Sequence, residues 1–465
     1  PPGAVAGTSA AFDVQGASSP SPPIARFTAT PVVILAGQSV TFDASASSDY
    51  PDPTSLLQVS WDFMGTSTAG PAWPTPAAPW TAWTTTKTAS NTYGTPGTYF
   101  PRLAVRNQSG AVSYATVRVV VLAAANTLCV VNTAADVDDG ATSCACTGAA
   151  CGTDQKLSFR EAARLAPNGA TITFSGPMTI TGSAGITLNT RVYVYASPGV
   201  VLDTIPLTVA AGNPGLPVII AGLEMTRQGP AVAPNSKMVL SLEDVYLHDA
   251  GTASAPVVSD RGALTLTRVR MANCASTCVL VTDSANADTL AVRYSDFKGT
   301  GSGTGIDVQQ CTNNKIALDA AGNVFTGFSQ AVRSYCFGYV SALNNTFEAN
   351  GTGLAFLLPG GSGHVVRNNI FTNHTASAAS CAFTTFAARD YHVLFGNASN
   401  GCLGGDPNTL ASDPQYVFAA SRDYRLRLGS PAVDTALDLG LYLLPAFPAA
   451  PGPRFLGAGP DRGGR

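Results

Sequence analysis

Charge is what this sequence has least of. Only 12% of its 465 residues are Asp, Glu, Lys or Arg, and the formal net charge is −3. Phosphate binding needs clustered Lys and Arg, so the composition argues against a nucleic-acid binder. Charged disordered tails pair high charge with low hydrophobicity, and here hydrophobic types reach 45%. No apolar run approaches the roughly 18 residues of a membrane-crossing helix. The longest, such as Val119 to Ala125, are strand-sized. Cysteine is absent before residue 129, and no C-x-x-C pair occurs anywhere. Zinc sites of the usual spacing are therefore not expected.

What is present points to a large, weakly charged all-β protein. The length exceeds one ordinary domain. Gly 46 and Pro 32 supply turns, and Ser, Thr and Asn keep the chain soluble. Ten cysteines fall in local groups: Cys129, Cys144, Cys146 and Cys151; Cys274 and Cys278; Cys311 and Cys336; Cys381 and Cys402. Grouping of this kind suits disulfides in an oxidising compartment. The chain begins at Pro1 without a charged and apolar leader, as expected where a signal peptide has been removed.

Five segments are expected. Residues 1–23 are rich in Pro, Ser, Ala and Gly and read as an extended arm, with 10–14 able to add as a strand to a neighbouring sheet. Residues 24–123 read as a β-sandwich, with strands at 26–30, 39–44, 59–63, 98–105 and 114–122 between Gly and Pro turns. Residues 124–169 read as a disulfide-rich cap with one short helix. There Ser158 and Glu161 form a capping box, and Phe159, Ala162, Ala163 and Leu165 give an apolar stripe. Residues 170–405 repeat, and 406–465 close the chain. Its Pro-rich run from Leu444 to Pro453 reads as extended surface chain.

The repeat is carried by triplets ending at Met225, Leu247, Met271, Phe297, Phe325, Phe347, Phe371 and Phe395. Their spacings are 22, 24, 26, 28, 22, 24 and 24. A short strand recurring at that period without intervening helices predicts the coils of a right-handed parallel β-helix. Residues one coil apart then stack about 4.8 Å apart. The last triplet column points inward, and so does the first, because i and i+2 share a face. The first column holds Asn323, Asn345 and Asn369, an internal asparagine ladder. Cys311 with Cys336, and Cys381 with Cys402, are each about one coil apart, which predicts bridges across neighbouring coils. Cys274–Cys278 closes a tight loop, and the first four cysteines pair among themselves.

Three resemblances follow from residues quoted in place. Ser39-Val40-Thr41-Phe42-Asp43-Ala44-Ser45, Trp61-Asp62-Phe63 and Pro96-Gly97-Thr98-Tyr99 with Leu103-Ala104-Val105 resemble the PKD family of extracellular spacer domains. Trp61 reads as core. Met64-Gly65-Thr66 replaces that family's usual Gly-Asp-Gly. The segment Leu157-Ser158-Phe159-Arg160-Glu161-Ala162 resembles the "CSLREA" motif of secreted bacterial β-helices, with Leu157 at the Cys position, which implies a cap over the first coil. Asp423-Tyr424-Arg425-Leu426 with Gly429-Ser430-Pro431-Ala432-Val433-Asp434 is similar to the closing segment of secreted proteins that carry surface anchors. No anchor signal is visible before Arg465, so the anchor is removed, absent or replaced by assembly.

These readings give an extracellular or cell-surface structural and adhesive protein, a candidate subunit of a filament or surface layer. Self-association through the arm or the β-helix ends is the expected partnership, with glycans as possible ligands and no nucleic acid. Two alternatives remain: a β-helix polysaccharide lyase or glycoside hydrolase, and a monomeric glycan-binding adhesin. Outward positions would form a polar patch of Glu224, His248, Arg270, Asp296 and Lys298, the enzyme alternative's candidates, with Arg270 beside Asp296 the most suggestive pair. The plain reading of that patch is a solvated sheet face. No cofactor is expected. Calcium is the one exception to weigh, but the coils carry no calcium-binding Asp cluster, and Asp136, Asp138 and Asp139 in the cap loop read as solvated turn residues. His248, His364, His374 and His392 fall in different columns and make no evident metal site.

Overall fold

The computed structural model describes residues 23–49, 53–66, 71–72, 75–123, 128–145, 148–209, 217–227, 232–234, 238–250, 255–260, 262–274, 276–282, 289–309, 317–335, 339–357, 363–382, 385–427, 429–433, 435–437 and 439. Residues 1–22 of the arm, the Pro-rich run, Cys146, Cys311 and Cys336 lie outside the described residues.

Short β-branched and aromatic strands come first. Three small sheets pair Thr28–Thr30, Ser39–Asp43 and Thr88–Thr92; Val33–Leu35, Val119–Leu122 and Gly97–Tyr99; and Gln58–Asp62, Arg102–Arg106 and Val112–Thr116. They enclose one core of Phe27, Phe42, Trp61, Tyr93, Leu103 and Val121. Trp61 is 2% exposed and meets Phe27 edge-on at 5.2 Å, so it is core as the sequence indicates. Two expected strands each prove to be two. Residues 98–105 break at Phe100 and Pro101, where Pro101 has no N–H to donate, and the chain passes from one sheet to another. Residues 114–122 break opposite it, with Val117 N–H donating to Pro101 O at 3.3 Å.

From Leu128 to Phe395 the described chain forms a right-handed parallel β-helix, and after it Tyr416–Phe418 and Asp423–Leu426 pair antiparallel in a separate small sheet. The three faces of the β-helix are an eleven-stranded sheet from Leu128–Val131 to Phe386–Asp390, a ten-stranded sheet from Met178–Thr181 to Val393–Phe395, and a nine-stranded sheet from Ile186–Leu188 to Ser377–Cys381. The strand Leu128–Val131 pairs in parallel with Ala170–Phe174, so the eleven-stranded sheet starts ahead of the capping helix. That helix is Phe159–Leu165. Ser158 Oγ accepts from Glu161 N–H at 3.1 Å, and Glu161 Oε2 accepts from Ser158 N–H at 3.1 Å, the expected capping box. Phe159, Ala162 and Ala163 turn into the β-helix core. The acidic loop wraps the helix: Arg160 grips Asp136 at 2.9 and 2.8 Å, and Arg164 grips Asp138 at 2.8 and 3.0 Å.

The inward stack of the ten-stranded sheet runs Met225, Leu247, Met271, Phe297, Phe325, Phe347, Phe371, all 2% exposed or less. The four phenyl rings lie nearly parallel, with centroids 4.7, 5.2 and 4.7 Å apart. The last coil corrects the sequence alignment by one residue. Leu394, not Phe395, lies beside Phe371, and Phe395 is 37% exposed. The final step is 23 residues rather than 24, and His392 takes the inward position that Asn occupies in the coils before it. Val393 and Phe395, rather than Leu394 and Gly396, then face outward.

The asparagine ladder is present and complete. Asn345 Nδ2 donates to Asn369 Oδ1 at 3.0 Å and to Ala320 O at 3.0 Å. Its Oδ1 accepts from Asn323 N–H at 3.0 Å and Asn323 Nδ2 at 2.9 Å. That is the full capacity of an amide side chain. The ladder begins on Ser295, whose N–H meets Asn323 Oδ1, and ends on His392 Nδ1, which accepts Asn369 N–H at 3.4 Å.

Corners between sheets are built on left-handed residues. Asp244, Arg268, Tyr294, Asn344, Asn368 and Tyr391 turn one corner with φ of +52° to +59°. Arg227, Asp249, Asn273, Ala349 and Asn373 turn the next with φ of +51° to +61°. Such residues cost about 1–2 kcal/mol each outside glycine. All but Tyr391 are tied by their N–H to a carbonyl of the following coil, as Ala349 is to Thr372 at 3.0 Å, and Tyr391 N–H donates to Asp406 Oδ2 at 3.2 Å.

Disulfides join Cys129 to Cys144, Cys274 to Cys278 and Cys381 to Cys402. Cys151 is also disulfide-bonded. No helix among the described residues is long and apolar enough to cross a membrane.

Candidate functional site

The apolar run at Val119 explains how the two halves meet. Alternate residues of a strand face opposite ways. Val119 and Val121 enter the sandwich core, while Val120 and Leu122 pack with Val33 against Tyr195 and Ala221 on the outer face of the eleven-stranded sheet. Arg118 beside them forms an ion pair with Glu243 and lies over the rings of Phe100 and Tyr195 at 5.6 and 6.0 Å.

Next to this contact a cavity of about 410 Å³ opens between the halves. Phe27, Ala29 and Val117 line it from the sandwich, and Tyr195, Tyr246 and Arg270 from the β-helix. Glu224, Asp244 and Arg268 also line it, so apolar and charged side chains share its surface. The volume falls in the range of small-ligand sites.

The five residues of the predicted patch all lie on the outward face of the ten-stranded sheet, next to or leading away from this cleft. Glu224, Tyr246, Arg270 and Asp296 share one column, and His248 and Lys298 the other. Their pairing differs from expectation. Arg270 and Asp296 are in register but do not pair. Asp296 is held by Arg422 of the C-terminal segment, and Arg270 leans the other way, 4.7 Å above the Tyr246 ring. His248 bridges two carboxylates, Glu224 at 3.0 Å and Asp249 at 2.8 Å. Both ring nitrogens face acceptors, so both carry protons in this arrangement. Burial opposes that charge, but the hydrogen bonds to Asp249 and Glu224 outweigh it and raise the His248 pKa. Asp249 is further held by Asn273 at 2.7 Å.

Farther along, the same face is covered. Ile370 and Val393 pack against Leu426 and Ala432 of the C-terminal segment. Tyr416 OH lies 3.3 Å from Thr372 Oγ1, which donates to buried Glu348. Asn373 Nδ2 also donates to Glu348, at 2.8 Å. Burial raises the Glu348 pKa, against these two hydrogen bonds. Arg425 reaches Pro23 O at 3.0 Å, tying this segment to the start of the sandwich.

The remaining three histidines are structural acceptors. His364, His374 and His392 take the N–H of Val340, Asn350 and Asn369 on their Nδ1 atoms, at 3.0, 3.2 and 3.4 Å. His374 belongs to a second ladder with Asn350 and Asn397 that the triplet alignment missed. Asn350, His374 and Asn397 recur at steps of 24 and 23 residues, the signal that would have found it. Among the described residues no group of three or more His, Cys, Asp or Glu could hold a metal ion.

Fold and cleft together define an all-β protein in which a β-sandwich is docked on a parallel β-helix. No family model matches the chain, and no curated protein matches it. Among solved structures, one of carbohydrate-binding modules from the β-sandwich superfamily, concerned with their promiscuous specificity, is similar at 28% identity. The match covers 23% of this chain and 37% of that one, at a TM-score of 0.18, so this chain spans little over a third of that structure's length. An overlap that small assigns neither fold nor ligand here.

Proposed function

We propose that this protein is an extracellular structural and adhesive component of a cell surface. The observation that carries the reading is the continuity of the β-helix interior. One buried cluster runs without interruption from Cys129 to Leu403, is shielded by the helix Phe159–Leu165, and is braced by disulfides that need an oxidising compartment. A core of that form resists bending and local opening, as a stalk or lattice subunit requires. In this reading the sandwich is a PKD-like spacer, residues 124–169 are the cap of a secreted bacterial β-helix, and residues 406–465 are its closing segment. Self-association runs through the arm at 1–23 or the β-helix ends, and extracellular glycans are the contacted surface.

The lyase or hydrolase alternative needs two available carboxylates at a suitable separation. On the exposed strip Glu224 and Asp249 are held by His248, and Asp296 by Arg422, which favours the structural role. The test is light scattering across a wide concentration range together with a glycan array. Assembly that is lost on deleting residues 1–23, or glycan binding by the intact chain, supports the reading. A monomer that binds no glycan refutes it. Release of reducing or unsaturated sugars that disappears in Asp296→Ala, with the fold retained, would move the assignment to the enzyme.

A further inference from the structure

We infer that the cleft between the sandwich and the ten-stranded sheet binds an acidic saccharide, with Arg270 receiving a uronate carboxylate and Lys298 the next anionic group along the strip. The inference deepens the adhesive reading and rests on it.

The first argument is an inventory of charge. Around the cleft each acidic side chain is engaged. Glu243 takes Arg118, Asp244 takes Arg268 through two bonds of 2.6 and 2.7 Å, Glu224 and Asp249 share His248, and Asp296 takes Arg422. Two cations are left over. Arg270 and Lys298 are exposed and, among the described residues, have no carboxylate partner. The strip therefore has its unused capacity for ligand in positive charge.

The second argument is preorganisation. The Arg270 guanidinium carbon lies 4.7 Å over the Tyr246 ring, and Tyr246 in turn stacks with His248 at 4.3 Å. Contact with the ring restrains the guanidinium, and its forked donors suit a planar carboxylate. Little side-chain freedom is then lost on binding.

The third is shape. Val32, Val120 and Ala221 give the lining apolar surface, and Thr28 and Arg270 add hydrogen-bonding groups. A pyranose has the matching form, with CH faces and a hydroxyl edge. The open strip from Glu224 to Asp296 spans three coil steps, about 14 Å. Beyond Asp296 the C-terminal segment closes it, so the site takes a short stretch or an end of a longer polymer.

The experiment is calorimetric titration of the full chain with trigalacturonate, the neutral galactose trimer and triglutamate, at low and high salt. The expected result is binding of trigalacturonate at least tenfold tighter than the neutral trimer, weakened by salt. Arg270→Gln should lose at least tenfold, Arg270→Lys less, and Lys298→Gln a smaller factor. Among the described residues Lys298 makes no side-chain hydrogen bond or ion pair, so its variant tests the site even where Arg270→Gln disturbs the fold. Equal affinity for acidic and neutral trimers, tighter binding of triglutamate, or unchanged affinity in both Gln variants overturns the inference and leaves the adhesive reading intact. If no glycan of any kind binds and the chain does not assemble, both fall.

Discussion

Acidification should destabilise this β-helix through His374. His374 is 1% exposed and its Nδ1 accepts Asn350 N–H at 3.2 Å, so the folded state requires a neutral ring. Burial lowers its pKa from 6.5 to about 4, with only the Asn350 backbone contact opposing the shift. Above pH 6.5 both folded and unfolded chains hold the ring neutral, and its protonation costs nothing. Below 6.5 the unfolded chain takes up a proton that the folded chain refuses, so stability falls until the pH reaches about 4. The gap is roughly 2.5 units, which amounts to about 3 kcal/mol at 1.36 kcal/mol per unit. His374→Asn isolates this loss. An Asn at that position can offer Oδ1 to the same N–H, and Asn already fills the position in the coils on either side, at Asn350 and Asn397. Urea unfolding of both proteins at pH 7 and pH 4, followed by circular dichroism, gives the comparison. The variant should lose about 3 kcal/mol less on acidification, whatever the substitution costs at pH 7. Equal losses in the two proteins would refute the assignment of His374 as a neutral acceptor.

Two further outcomes test the coil architecture. Ala349 is exposed and holds φ at +51° at a corner, so Ala349→Gly should relieve the left-handed penalty and stabilise by about 1 kcal/mol, read as a raised thermal midpoint. Asn345→Ala removes four side-chain hydrogen bonds at a site of 0% exposure. At about 1 kcal/mol net per bond it should destabilise by about 4 kcal/mol in urea titration, and a loss below about 1 kcal/mol would mean the ladder is ornamental.

The β-helix was legible because its rule is one-dimensional. A coil of near-constant length puts like residues in register, so Phe297, Phe325, Phe347 and Phe371, and Asn323, Asn345 and Asn369, announce a stack from their spacing. The same rule failed where one residue breaks step, at His392. It also missed His374, because imidazole and amide can both offer an acceptor while looking unlike in sequence. The sandwich was legible in outline, but the crossing of the chain between sheets at Pro101 was not, since alternation continues through it. Pairing of the charged patch was least legible. Register placed Arg270 beside Asp296 correctly, yet what each side chain reaches depends on Arg422, 126 residues away from Asp296 in sequence. Local spacing carries no trace of such a partner, nor of a cleft made by two distant segments.

The scarcity of charge follows from how much outward surface is not outward at all. Thr346, Ile370, Thr372 and Val393 face away from the β-helix core, yet each is 1% exposed or less. On the covered face, hydroxyl and apolar side chains replace ions because an unpaired ion there would be costly to bury. Glu348 is the exception, and it is held by Thr372 and Asn373 beneath Tyr416. The eleven-stranded sheet loses outward surface in the same way where Tyr195 and Ala221 meet the sandwich. On the ten-stranded sheet, charge returns at Asp296, where Arg422 marks the edge of the cover, and continues through Arg270 to Glu224 at the cleft. The charged run from Glu224 to Asp296 on this face therefore lies on the stretch left open between the two docked segments. That coincidence is expected of a surface kept for a ligand. A uniformly solvated face would have its charges spread along all of its coils.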